Sequence, residues 1–377
     1  MSSIPSFSEG ELNTGVRREP LLLALGIVAI YTVMAVGVLG THDWNAKAFV
    51  LEKPDDVPFA QAFAIGYDGQ FSYAIALDPF GAGDSDSLDR PAYRYLRIAY
   101  PVAARILALG VPDLIPWSLL AVNILVAGAT AWVYADLIGA KSGAVWAVLA
   151  LLLSLNYLIG IRFDLNEPLA LLAAIAGILL HKQGRFGTAA ATFALAGLTK
   201  EVFLVFPLAV AIYEFTQRNL KTAAIITLGS FLPYFAWSAV ITQWQGISPF
   251  SYSLSKPSLI PFAGLRHLGL FESQIMVMIW AVGPAILIAL AVVWKSAREW
   301  PRWPSLVAWL VLLNVAVVAT LPVESWEDPL AILRLALGAM AAGLLWLSQV
   351  RPRLLPYTAA IWIPSLLIAF LLPGMLI

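Results

Sequence analysis

Residues 21–40 read LLLALGIVAIYTVMAVGVLG, twenty positions without a charged side chain. A helix needs roughly 20 mainly apolar residues to cross a bilayer, and Arg17-Arg18 and Glu19-Pro20 stand just before this run. It reads as an uncleaved signal anchor, because a removable signal peptide has an apolar core of only about 7 to 15 residues. The rest of the chain repeats the pattern. Apolar runs punctuated by short polar turns fall at 115–136, 142–161, 166–182, 186–199, 201–216, 220–242, 274–294, 304–323, 329–348 and 354–375. With the first, about eleven spans are predicted. The runs 186–199 and 201–216 are short for spans, and a tilted, broken or re-entrant course is expected there, as is tolerated where backbone lines a cavity inside the protein.

Composition agrees with this reading. Of 377 residues, 60% are hydrophobic and 12% charged, and the mean hydropathy is +0.81, far outside soluble usage. The expected fold is an all-α polytopic helical bundle forming a single transmembrane domain over 1–377, in an inner or plasma membrane. Twenty-three basic and 23 acidic side chains cancel, which leaves no electrostatic footprint for nucleic acid. No cysteine is present and there are three histidines, which excludes thiolate chemistry and Cys-ligated metals and leaves little for a His-built centre. Any chemistry falls to carboxylates, Lys, Arg, Tyr or Ser.

Basic residues sort the turns into two sides, since Lys and Arg flanking spans are retained in the cytoplasm. One set of alternate turns holds 12 of the 23 basic residues, among them Arg18, Lys182, Arg298 and Arg351, with six acids. The opposite set holds the other 17 acids. The first set is expected inside, which puts the N-terminus in the cytoplasm, the C-terminus outside, and both long connecting segments, 41–114 and 243–273, on the outer face.

In 41–114, Phe59, Phe63, Tyr67 and Phe71 recur every four residues, the stripe of an amphipathic interfacial helix, which serves packing or anchoring as readily as function. Within it, Gly66-Tyr67-Asp68-Gly69-Gln70 brackets one carboxylate with two glycines, where another chain or a ligand can approach closely. Asp68 is either a presented functional acid or the polar edge of that helix. Asp89-Arg90-Pro91 is expected to cap a second amphipathic stretch, 93–110, carrying Arg94, Arg97 and Arg105; arginine at a bilayer surface holds phosphate or snorkels. Asp84-Ser85-Asp86 has a spacing that suits a divalent cation, but nothing nearby completes an oxygen shell and a solvated turn accounts for it. No metal or other cofactor is expected.

Three other outer turns carry charge. In Arg162-Phe163-Asp164-Leu165-Asn166-Glu167-Pro168, Asn166 and Glu167 are expected as helix caps before the proline, leaving Asp164 as the functional acid. Lys200-Glu201 joins two apolar runs near membrane depth, where ionisable groups are expensive and usually functional; a salt bridge within the pair is the alternative. Beyond Glu324 to Asp328, Arg334 lies inside a run and is expected to point inward, to an anion or an acid. In 243–273, Arg266 and His267 are candidates for binding a polar ligand.

Taken together, Gly66-Tyr67-Asp68-Gly69-Gln70-Phe71, Leu77-Asp78-Pro79-Phe80, Tyr93-Arg94 through Tyr100-Pro101, 164–168 and Leu198-Thr199-Lys200-Glu201 resemble the GT-C superfamily of multispanning glycosyltransferases, particularly its bacterial members. The resemblance covers about residues 20–215 by motif and the remainder by span pattern. It implies a GT-C-like fold, a catalytic acid in the first outer loop at Asp68, and transfer of a sugar from a polyprenyl-phosphate carrier to a glycan, lipid or protein acceptor outside the cytoplasm. Arg94, Arg97, Lys200, Arg266 and Arg334 are then candidates to hold the leaving phosphate, with Tyr67, Gln70, Asp164, Glu167, Glu201 and His267 as further substrate contacts. A lipid or solute transporter or flippase using the same charges, or a non-catalytic membrane assembly subunit, are the competing readings.

Overall fold

The structure is a computed structural model, and it describes residues 18–51, 67–81, 88–139, 143–252, 257–268, 271–299 and 304–367. Among these residues the secondary structure is helical and no strand occurs. Four helices are long and apolar enough to cross a membrane: Arg18–Gly40, Pro112–Ile138, Leu220–Gln245 and Gln274–Arg298. Two further crossings arise if each of two bent pairs counts as one span. Ala144–Leu152 and Leu155–Arg162 meet at 51°, and Pro329–Leu335 and Leu337–Val350 meet at 41°.

Local chemistry explains several of the breaks. Ser154 starts the second half of the first bent pair by accepting from the Tyr157 amide, while Asp328 accepts from the Leu330 amide ahead of Pro329. Both are side-chain oxygens taking amides that the first helical turn leaves unpaired. The run 186–216 is indeed interrupted. Phe186–Thr199 ends at Lys200, whose backbone is extended, and a single tight turn, Glu201–Leu204, leads into Val205–Thr216.

Leu155–Arg162 of one bent pair packs on Pro329–Leu335 of the other, and Asn156 donates to the Leu333 carbonyl at 2.8 Å to join them. At the opposite end, His181 meets Glu214 at 2.9 Å and Lys182 reaches the Leu137 carbonyl at 3.5 Å. These buried or half-buried polar groups join one helix to another, while others, such as Thr130, Asn314 and Ser348, bond back to their own helix.

The segment 41–114 departs from two expectations. Tyr67 is not helical, and the helix Gly69–Leu77 begins only after Asp68, so the aromatic stripe does not run through as one helix; Phe59, Phe63 and Gly66 lie outside the described residues. The stretch 93–110 is likewise two helices, Pro91–Tyr95 and Ala99–Leu107. Arg105 donates from Nη1 to the Ala76 and Leu77 carbonyls at 2.8 and 2.7 Å, closing the end of Gly69–Leu77. Cations at helix C-termini are favoured in this way.

Candidate functional site

Gly69 fixes where Asp68 stands. A Cβ at this position would collide with the Phe163 carbonyl oxygen, so the close approach foreseen for the glycine bracket is made by the chain's own backbone. Gly69→Ala is expected to lower stability by about 1–3 kcal/mol, the usual cost of overpacking, read as a lower melting midpoint in detergent; an unchanged midpoint would show that Phe163 yields freely.

Asp68 occupies the position before the helix but makes no capping bond with its side chain. Its carboxylate lies instead between two guanidiniums. Arg94 Nη1 is 3.1 Å from one oxygen and Arg334 Nη2 is 2.5 Å from the other. Arg334 also donates from Nη1 to Glu167 at 3.2 Å, and Lys200 Nζ reaches the same Glu167 oxygen at 3.0 Å. Arg97 grips Glu201 with two nitrogens, at 2.6 and 3.0 Å. The Asp68 side chain is 25% exposed while those of Arg94, Arg97, Lys200 and Arg334 are 5–8% exposed, so the acid faces outward from a bed of buried cations.

Aromatic rings hold the cations in place. The Arg94 guanidinium lies 3.7 Å from the Phe71 ring centre, that of Arg97 lies 4.5 Å from Tyr93, and that of Arg334 lies 5.1 Å from Tyr67. Such cation–π contacts strengthen when desolvated. Tyr67 donates to Asp328 at 2.7 Å and Tyr93 to Glu201 at 3.2 Å. Burial, against the pull of Arg97, pushes the Tyr93 hydroxyl up to about 12. Burial also works against charge on Asp68, but Arg334 and Arg94 outweigh it and hold its carboxyl well below the usual carboxylate range.

A cavity of about 410 Å³ opens over this cluster, floored by Asp68, Arg94, Arg97, Lys200 and Arg334 and rimmed by Gln70, Tyr67, Tyr93, Glu324, Glu327 and Asp328. Its size falls within the roughly 300–1,000 Å³ of small-molecule sites. A second, smaller hollow beneath Asp68 reaches Ser72, Asn166 and Glu167.

Several expectations change here. Asn166 and Glu167 are not caps: Asn166 accepts from Ser72 at 2.7 Å and donates to the Thr199 carbonyl at 3.2 Å, while Glu167 belongs to the ion cluster. Asp89 does not cap the next helix either, but clasps Arg94 Nε and Nη2 at 2.7 and 2.9 Å. Lys200 and Glu201 pair with Glu167 and Arg97, not with each other. Asp164 lies outside both cavities, wholly buried at a backbone φ of 47°, its oxygens without a hydrogen-bond partner. Burial pushes its carboxyl well up, with Arg162 pulling the other way. Arg266 and His267 are exposed, touch each other at 3.3 Å and line neither cavity.

Tyr93, Asp89 and Asp328 are members of the site that sequence reading did not single out. The spacing of Tyr93 four residues before Arg97, one helical turn, was a usable signal; the Asp89–Arg94 contact has none. Among the described residues no group of three or more His, Asp or Glu side chains is placed to hold a metal ion, and Asp84 and Asp86 lie outside those residues. No family model, no curated protein and no solved structure matches the chain.

Proposed function

We propose that the protein is a glycosyltransferase of GT-C type, moving a sugar from a polyprenyl-phosphate carrier to an acceptor hydroxyl at the outer face of the membrane. The observation that carries this reading is the partly exposed carboxylate of Asp68 held between two buried guanidiniums, those of Arg94 and Arg334, in the lining of one cavity. In the proposed step the acceptor oxygen bonds to the anomeric carbon as that carbon's bond to the phosphate oxygen breaks. The hydroxyl proton passes to Asp68, and the electron pair of the broken bond leaves with the phosphate. A phosphate of this kind needs positive charge and not a proton to depart, and Arg94 and Arg334 supply it.

All eleven apolar runs are proposed to cross, with the N-terminus inside. The site draws on 41–114, 162–168, 199–201 and 324–328, each assigned by its charge to the outer side, together with Arg334 from the run that follows, and these segments converge. Segments assigned inside also meet, at His181–Glu214 and Lys182–Leu137. Cysteine placed at Ser85 in this cysteine-free chain is expected to react with an impermeant maleimide in intact cells, and cysteine at Arg351 only after permeabilisation. The reverse pattern would put the cavity on the cytoplasmic side and end the proposal in this form.

The activity itself is tested by supplying the purified chain in lipid nanodiscs with polyprenyl-phosphate hexoses and an acceptor extract. Release of polyprenyl phosphate is expected. Movement of the lipid-linked sugar across a liposome membrane without such release would favour the flippase reading.

A further inference from the structure

Three features of the cluster bear on the order of events. First, Arg94 is held from behind: Asp89 takes Nε and Nη2, which leaves Nη1 as the nitrogen aimed at Asp68. Second, Arg334 spends Nη1 on Glu167 and Nη2 on Asp68, while its Nε is buried without a partner. Third, one oxygen of Glu167 is also buried without a partner. The Arg94 and Arg334 nitrogens nearest Asp68 are therefore already engaged by it, Arg97 and Lys200 in the same cavity are held by Glu201 and Glu167, and Arg334 has one more donor to give.

We infer that the Asp68 carboxylate and the phosphodiester of the donor compete for the same guanidinium nitrogens of Arg94 and Arg334, so that donor binding exchanges these ion pairs and releases Asp68. The class of anion rests on the transferase reading above. A diester presents two unesterified oxygens sharing one negative charge, which suits Arg94 Nη1 on one side and Arg334 Nη2 with its spare Nε on the other, since guanidinium forks favour bidentate oxyanions. Neither cation is stranded before or after the exchange, because Asp89 and Glu167 stay with them throughout. The release also matters for chemistry. A carboxylate held by two cations is a weak base, and one that has lost them to a phosphate is stronger. Asp68 becomes competent when the leaving group is in place, which predicts an ordered sequence, donor before acceptor.

Binding measurements on the full chain in nanodiscs test this without any turnover. The probe is farnesyl methyl phosphate, a diester with a constant single charge, set against uncharged farnesyl methyl ether and inorganic phosphate. Asp68→Asn and the smaller Asp68→Ser are each expected to bind the diester at least about tenfold more tightly than the wild type, the scale of one charge-assisted pair, with ether binding unchanged. In the wild type, diester binding should shift a carboxylate stretching band in infrared difference spectra. Equal or weaker diester binding by both variants, no carboxylate shift in the wild type, or no diester binding by any form overturns the inference. The same tightening for inorganic phosphate supports the exchange and makes free phosphate sufficient as its partner. Tighter binding by the variants, with no release of polyprenyl phosphate by the wild type from any lipid-linked hexose, leaves the exchange standing and defeats the transferase reading.

Discussion

Asp68→Asn is expected to lower sugar transfer by roughly 10² or more, the usual worth of a positioned base, in a protein that still inserts and purifies. The shape of the side chain is kept and its basicity is lost. Folding survives because each neighbouring cation retains a second carboxylate, Asp89 for Arg94 and Glu167 for Arg334. Asp164→Asn is the matched control. That residue is wholly buried, and burial favours its neutral form, so an amide of the same shape should leave transfer within a few-fold of the wild type. Abolished transfer in Asp164→Asn with near-normal transfer in Asp68→Asn would move the base to the turn 162–168.

The largest effect on stability is expected from Arg334→Met. Arg334 bridges Asp68 and Glu167 with its side chain 8% exposed, and Glu167 is 1% exposed. Removing the cation that these two acids share leaves Glu167 with Lys200 alone and Asp68 with Arg94 alone, and loss of a partner from a buried ion pair costs up to about 3–5 kcal/mol. The expected readouts are a much lower yield and a melting midpoint in detergent depressed by many degrees. Arg334→Lys should fall between, because an ammonium is a single point and cannot span two carboxylates as the guanidinium fork does. Adding Glu167→Gln to Arg334→Met should recover part of the loss, since the remaining cations Arg94, Arg97 and Lys200 then face three acids, Asp68, Asp89 and Glu201, and the balance of charge in the cluster is restored. A melting midpoint for Arg334→Met equal to that of the wild type would mean that the ion cluster does not hold the bundle together.

Most of the charged members of the site were legible in the sequence; their partners were not. Asp68, Glu167, Lys200 and Arg334 stand out because ionisable groups beside or within apolar runs need a reason to be there. Pairing depends on backbone geometry that composition does not show. Lys200 is extended at a helix break, and successive side chains on extended backbone point to opposite sides, so Lys200 and Glu201 part company and find Glu167 and Arg97. Asn166 was expected to cap because of its type and place, yet its backbone is already helical, whereas a capping residue is typically extended. Arg266 and His267 were candidates on the length of their segment alone, with no buried apolar context to force a partner on them. Helices such as Glu167–Lys182 and Leu220–Gln245 follow their apolar runs because that signal is local, and the cap at Ser154, where one run breaks into two helices, is local as well.

The bridge from Asp68 to Arg334 joins residues 266 positions apart, and that from Glu167 to Arg334 joins residues 167 apart. Chains are made from the N-terminus onward, so Asp68 and Glu167 leave the ribosome long before the cation that completes both of their ion pairs. For most of biogenesis the nascent protein carries acids with Arg94 and Lys200 as their only counter-charges in the cluster. Docking of Pro329–Leu335 therefore brings in the last cation of the cluster, and a chain stopped short of it lacks the counter-charge that Asp68 and Glu167 share.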